Sequence, residues 1–216
     1  MTVMHRNRRG QIADSVDLGI VAGRGPPETK TPRRRDLSML ISAARSQLLV
    51  VDMQEKLVPI VENRDAVLRN TGILVEAAAA VSVPSSVSEQ YPKGLGHTVP
   101  ELAAAGARTF EKVEFSCARN APLAEHLKSA DRPQVVVTGV EAHICVLQTA
   151  LDLREAGYEV FVVADAIGSR RADSREIALA RMQAAGVVAV TTEMVVFEWL
   201  ETAEAPAFRA LSKLIR

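Results

Sequence analysis

From Gln47 onward, short runs of β-branched residues alternate with longer amphipathic stretches, which is the pattern of strands separated by helices. Strands are predicted at Leu48–Val51, Val83–Val87, Thr109–Val113, Val135–Val137, Val160–Val163 and Val187–Val190. Helices are predicted over 65–81, 121–129, 144–156 and 173–185, with further helix after Glu193. The span from Ser88 to Ala107, rich in Gly and Pro, reads as a long loop with one helical turn, a feature that often shapes a pocket over a sheet edge. Strands that are apolar along their whole length must be covered on both faces. The expected fold is therefore α/β: a three-layer α/β/α sandwich around a six-stranded, mainly parallel, Rossmann-like sheet. In such sheets the crevice outside the carboxyl ends of the strands is where chemistry collects.

Length and composition narrow this further. A chain of 216 residues buries one sizeable core, so a single domain is expected over 45–216. Residues 1–44 lack periodic apolar positions and carry Arg6, Arg8, Arg9, Arg33, Arg34 and Arg35 around Gly25-Pro26-Pro27, and are expected to be a flexible basic N-terminal extension. Asp14, Asp17, Glu28 and Asp36 dilute an RNA-binding or targeting role for it. Basic and acidic side chains balance at 26 each, so there is no global field to attract nucleic acid or a membrane surface. No apolar run is long enough to span a bilayer, and no apolar core follows the first basic residues as in a secretory signal. The two cysteines, Cys117 and Cys145, have neither disulfide-framework nor zinc-site spacing and suit a reducing cytoplasm. A small molecule is the expected partner, with neither nucleic acid nor membrane.

Three polar residues fall at predicted strand ends: Asp52 after the first strand, Lys112 closing the third, and Cys145 at the helix start after the fourth. A helix N-terminus offers free N–H groups and positive partial charge, which favour a thiolate and could hold an oxyanion. The other reading of Cys145 is a small packing residue. Helical spacing puts it with Gln148, Thr149 and Asp152, off the apolar lines of Ile144, Leu147, Leu151 and of Val146, Ala150, Leu153. Asp52 reads either as a proton-accepting carboxylate or as an N-cap whose capping box is completed by Glu55. Lys112 reads as a solvated strand end, or as an ammonium that supports both negative charges. His5, His97, His126 and His143 show no metal-ligand spacing, and Pro26-Pro27 interrupts the glycine-rich stretch from Gly19 to Gly25 where a phosphate-binding helix would begin. No metal or cofactor is expected.

With Val50-Val51-Asp52-Met53-Gln54, Glu111-Lys112 and Thr138-Gly139-Val140-Glu141-Ala142-His143-Ile144-Cys145 in this order, the chain from about Ser46 to Val196 resembles the isochorismatase-like cysteine hydrolases. Glu89-Gln90-Tyr91-Pro92-Lys93-Gly94-Leu95-Gly96 resembles the isochorismatase-domain-containing hydrolase subgroup more than nicotinamidases. The resemblance implies a catalytic triad of Asp52, Lys112 and Cys145. It also implies a non-proline cis peptide at Val140–Glu141 and an oxyanion hole built from the N–H groups of Glu141 and Cys145. Gln54, Tyr91, Phe115 and His143 are expected in the substrate pocket. Where nicotinamidases carry an Asp-x-His metal motif this chain has Glu89, Gln90 and Tyr91, which removes the basis for that metal. The expected activity is hydrolysis of a small amide-like C–N substrate through a thioester, by a homo-oligomer. The alternatives are isochorismate-type vinyl ether hydrolysis, a non-catalytic binding module, or a thiol redox protein using Cys117 and Cys145.

Overall fold

The computed structural model describes residues 40–102 and 107–215. Its elements run β1 (Ser46–Val51), α1 (Arg64–Ala80), β2 (Ser85–Gln90), the short α2 (Pro92–Leu95), β3 (Arg108–Lys112), α3 (Ala121–Ser129), β4 (Gln134–Val140), α4 (Leu147–Glu155), β5 (Glu159–Gly168), α5 (Ala172–Ala184), β6 (Val188–Val190), α6 (Thr192–Leu200) and α7 (Phe208–Leu214). Every strand pair is parallel, and the order is β3-β2-β1-β4-β5-β6.

The period of two along β1 builds the three layers. Leu48 and Val50 join one buried cluster, with Val67, Leu74 and Ala78 of α1, Val195, Val196 and Trp199 of α6 and Leu211 of α7. Leu49 and Val51 join the other, with Leu123 and Leu127 of α3, Ala150 and Leu153 of α4, and Ala178 and Met182 of α5. The same alternation divides Val136 from Val135 and Val137 on β4. The sandwich anticipated from the periodicity is the one observed. Chain direction across the sheet reverses between β1 and β4, so their carboxyl ends flank the open crevice of the doubly wound fold.

Several boundaries differ from expectation: β4 runs on to Val140 and β5 to Gly168, past the predicted ends at Val137 and Val163. β2 continues to Gln90 instead of ending at Val87, because Ser88, Glu89 and Gln90 are polar yet buried by partners far away in sequence. The helix expected from 144 opens with a π-helical turn over Ala142–Val146, where the N–H groups of Ile144 and Val146 converge on the Glu141 carbonyl at 3.0 and 3.3 Å. The long loop holds α2 and a 3-10 turn at Pro100–Leu102. Of the expected N-terminal extension, residues 1–39 lie outside the described residues; Ile41 is buried, and its N–H donates to Glu198 at 2.6 Å. No helix among the described residues is long and apolar enough to cross a membrane.

Candidate active site

At the β1 and β4 ends the chain turns abruptly, and sequence explains how. Asp52 adopts φ 51°, a left-handed conformation that Asp tolerates better than most residues, and no helix begins there. The capping-box reading is therefore corrected: the Asp52 carboxylate faces inward. Opposite it, Gly139 sits at φ +113° within a β-bulge, and a β-carbon there would drive into the Val51 carbonyl oxygen. Glycine thus lets β4 pass close to β1 before the cis peptide at Val140–Glu141.

The three anticipated residues meet in this crevice, with 0 % of Asp52, 3 % of Lys112 and 5 % of Cys145 left exposed. Lys112 Nζ donates to Asp52 Oδ2 at 2.8 Å and to Gln90 Oε1 at 2.7 Å, and also reaches the carbonyl oxygens of Glu114 at 3.2 Å and Phe115 at 3.3 Å. Ser88 Oγ donates to the other carboxylate oxygen, Asp52 Oδ1, at 2.6 Å. The Asp52 charge also acts on the Cys145 thiol, whose ionisation it opposes. Lys112 is consequently not a solvated strand end: burial is the largest influence and works against its charge, but the Asp52 carboxylate together with Cys117 and Cys145 outweighs it, and the pKa is raised.

The expectation of a thiolate favoured by the helix start is overturned. Burial, then the adjacent Asp52 charge, push the Cys145 thiol well above the ordinary range, and Lys112 only partly offsets them. Nor does the sulfur lie off the apolar surface, as helical spacing had predicted. Cys145 lies within the buried cluster around Val137, Ala142 and Val146, because the π-turn breaks the regular helical register assumed from sequence. The polar line it shares with Thr149 and Asp152 is real but faces protein: Thr149 Oγ1 accepts the Cys117 N–H at 2.9 Å, and Asp152 pairs with Arg119 at 2.7 Å.

The remaining candidates divide. Gln54 is buried and clamps β2, accepting the Gln90 N–H at 2.7 Å and donating to the Gln90 and Gly96 carbonyls at 3.0 and 2.7 Å, so its side chain is committed to the scaffold. Tyr91, with its ring half exposed, walls a cleft of about 340 Å³ together with Pro92, Lys93, Glu111, Lys112, Val113, Glu114 and Asn120. Phe115 is exposed nearby and lies outside that wall. His143 Nδ1 meets Ser169 Oγ at 2.9 Å. The Glu141 carboxylate takes the Arg170 N–H at 2.9 Å and Nε at 3.2 Å, with Nη2 3.1 Å away. Glu89, in place of the metal-motif aspartate, accepts the Thr98 N–H and hydroxyl, both at 2.7 Å, and faces His97 Nδ1 at 2.9 Å. Among the described residues no three His, Cys, Asp or Glu side chains cluster as metal ligands would.

Ser88, Gln90 and Arg170 were not singled out from sequence, and Cys117 was considered there only as a free thiol or a redox partner of Cys145. Only Gln90 stood in a motif that was quoted.

Residues 46–194 match the isochorismatase domain. The chain is 39 % identical over 175 residues to zebrafish (Danio rerio) isochorismatase domain-containing protein 2, covering 81 % of this chain and 89 % of that one. Among solved structures it is similar to the MAR1 ribonuclease of Caenorhabditis elegans, with TM-score 0.77, 38 % identity and coverage of 82 % and 92 % of the two chains. It is also similar to the Escherichia coli YcaC gene product, described as an octameric hydrolase of unknown specificity, with TM-score 0.78, 26 % identity and coverage of 82 % and 90 %.

Proposed function

This chain belongs to the isochorismatase-domain family, a family of hydrolases, and on that premise we propose that it is a cysteine-dependent hydrolase of a small amide-like substrate. The supporting observation is the sealed Asp52–Lys112 pair in the crevice that also buries Cys145, whose thiol feels the Asp52 charge. A thiol held well above its ordinary pKa needs a base at the moment of attack, and Asp52 is the carboxylate whose charge acts on it.

In the proposed reaction Cys145 Sγ bonds to the carbonyl carbon while its proton passes to Asp52. The N–H groups of Glu141 and Cys145 hold the oxyanion of the tetrahedral intermediate. Asp52 then returns the proton to the leaving nitrogen as the C–N bond breaks, giving a thioester and an amine. Water, deprotonated by Asp52, attacks the thioester and releases the carboxylic acid and the free thiol. Lys112 acts throughout as a fixed positive charge against a carboxylate and a developing thiolate. Tyr91 in the cleft beside Lys112, with Phe115 and His143 nearby, would contact the substrate.

The cleft suits a small molecule better than a polyanion, because Glu111 and Glu114 share its wall with Lys93. No nucleic acid, membrane or cofactor is invoked. A homo-oligomer is the expected state, in line with the octamer described for YcaC. The two free thiols suit the cytoplasm. Purified protein should be incubated with a panel of primary amides and with isochorismate, with intact-mass analysis for an acyl adduct on Cys145. Amide turnover that disappears in Cys145→Ala supports the reading. Turnover unchanged in Cys145→Ala overturns it, and points to ether hydrolysis if isochorismate is the substrate consumed.

A further inference from the structure

We propose that Ser88 is a positioning residue, the inner member of a one-way hydrogen-bond relay from Cys117 that sets the orientation and proton affinity of the Asp52 carboxylate. The inference rests on the reading of Asp52 as the proton acceptor for Cys145.

Ser88 grips Asp52 at two points. It lies opposite Val51 in the β1–β2 register, so its carbonyl accepts the Asp52 N–H at 3.1 Å while its hydroxyl donates to Oδ1 at 2.6 Å. With Oδ2 held by Lys112, both carboxylate oxygens are fixed, one from β2 and one from β3. The direction of the relay follows from chemistry. An ionised carboxylate only accepts, so the single Ser88 hydroxyl proton is committed to it, and Ser88 Oγ must accept from the thiol of Cys117, 3.3 Å away. Cys117 is fully buried and held as a thiol, since burial and the Asp52 charge push it up to about 11. Its backbone N–H donates to Thr149 Oγ1 at 2.9 Å, one turn beyond Cys145 on the same helical segment. The relay therefore ties the base to the helix that carries the nucleophile. Ser88 is wholly buried, and among the described residues its hydroxyl donates to nothing else.

A serine that merely satisfies itself in the core would leave proton transfer untouched, so the test reads proton transfer. The full chain is alkylated with iodoacetamide across pH, and modification of Cys145 is followed by mass spectrometry. A carboxylate stripped of one donor holds its proton to higher pH. Ser88→Ala should therefore move the acid limb of Cys145 alkylation upward by about one pH unit, and slow amide turnover about tenfold in kcat with KM within about twofold. Ser88→Thr, which keeps the hydroxyl, should restore the limb. Cys117→Ala, which removes only the outer donor, should shift it the same way by a smaller amount and remains informative if Ser88→Ala fails to fold. An unchanged limb in folded Ser88→Ala, equal shifts in the Thr and Ala variants, or an unchanged limb in Cys117→Ala would each overturn the proposal. Alkylation requires no substrate, so a hydrolase reading refuted by Cys145→Ala is distinguishable from a relay refuted by these profiles.

Discussion

Replacing Lys112 with methionine should destabilise the fold far more than loss of a surface lysine does. The ion pair with Asp52 has 0 % of either side chain exposed, and Nζ is the donor for Gln90 Oε1 and for the carbonyls of Glu114 and Phe115 as well. Removing one partner of a buried pair strands the other charge, a cost of about 3–5 kcal/mol. Against a total of roughly 5–15 kcal/mol for a domain, that is a large fraction of the stability. With a urea slope of about 2 kcal/mol/M, the unfolding midpoint should fall by about 2 M. The assay is urea unfolding followed by circular dichroism in reducing buffer, on wild type, Lys112→Met, and Lys112→Met combined with Asp52→Leu. The double variant should recover part of the loss, because no charge is left unpaired. The pH dependence has a definite sign. Lys112 is raised, so its contribution in the wild type is complete below the unfolded lysine value of about 10.5 and is lost as pH climbs through the folded one. In Lys112→Met the deficit should instead narrow in acid, where the stranded carboxylate takes up a proton. A cost below about 1 kcal/mol, the range of exposed pairs, would refute the claim that this pair is sealed from water.

His97 should titrate above the ordinary histidine value of about 6.5, because Glu89 bonds it and Glu55 and Glu111 add negative charge; histidine NMR should show this, and Glu89→Gln should lower it. The support that this pair lends is complete below the ordinary value and fades as pH rises through the raised one, so a titration at or below 6.5 would contradict the contact. Gly139→Ala should cost at least about 3 kcal/mol or abolish soluble expression, since both its φ of +113° and the Val51 backbone forbid a side chain; a thermal melt close to wild type would contradict it. Arg170→Ala should lower kcat more than it alters KM in steady-state assays, by releasing the buried Glu141 carboxylate next to the proposed oxyanion site. Arg170→Lys should restore only part of the loss, because an ammonium cannot span both oxygens as the guanidinium does; equal kcat in all three proteins would remove Glu141 anchoring from the mechanism.

Strand and helix periodicity are local properties, and they determined the parallel sheet, its six strands and the three layers. Position relative to a strand end is nearly as local, which is why Asp52, Lys112 and Cys145 could be singled out from sequence, while the family motifs made the grouping specific. Side-chain partnership across the fold is not local. Ser88 lies 36 residues from Asp52, Gln90 22 from Lys112, Cys117 29 from Ser88 and Arg170 29 from Glu141, and nothing in a polar residue's own neighbourhood announces such a partner. The same blindness ended β2 at Val87, because Ser88, Glu89 and Gln90 become strand only when the crevice supplies their hydrogen bonds. It also reversed the expected ionisation of Cys145. A helix start and a lysine are visible in sequence, but the burial and the nearby carboxylate that outweigh them arise only when β1 and β4 are brought side by side in the sheet. Sequence alone therefore determined which groups could react, and tertiary structure decided their protonation and their partners, because desolvation and charge–charge coupling depend on distances that only folding creates.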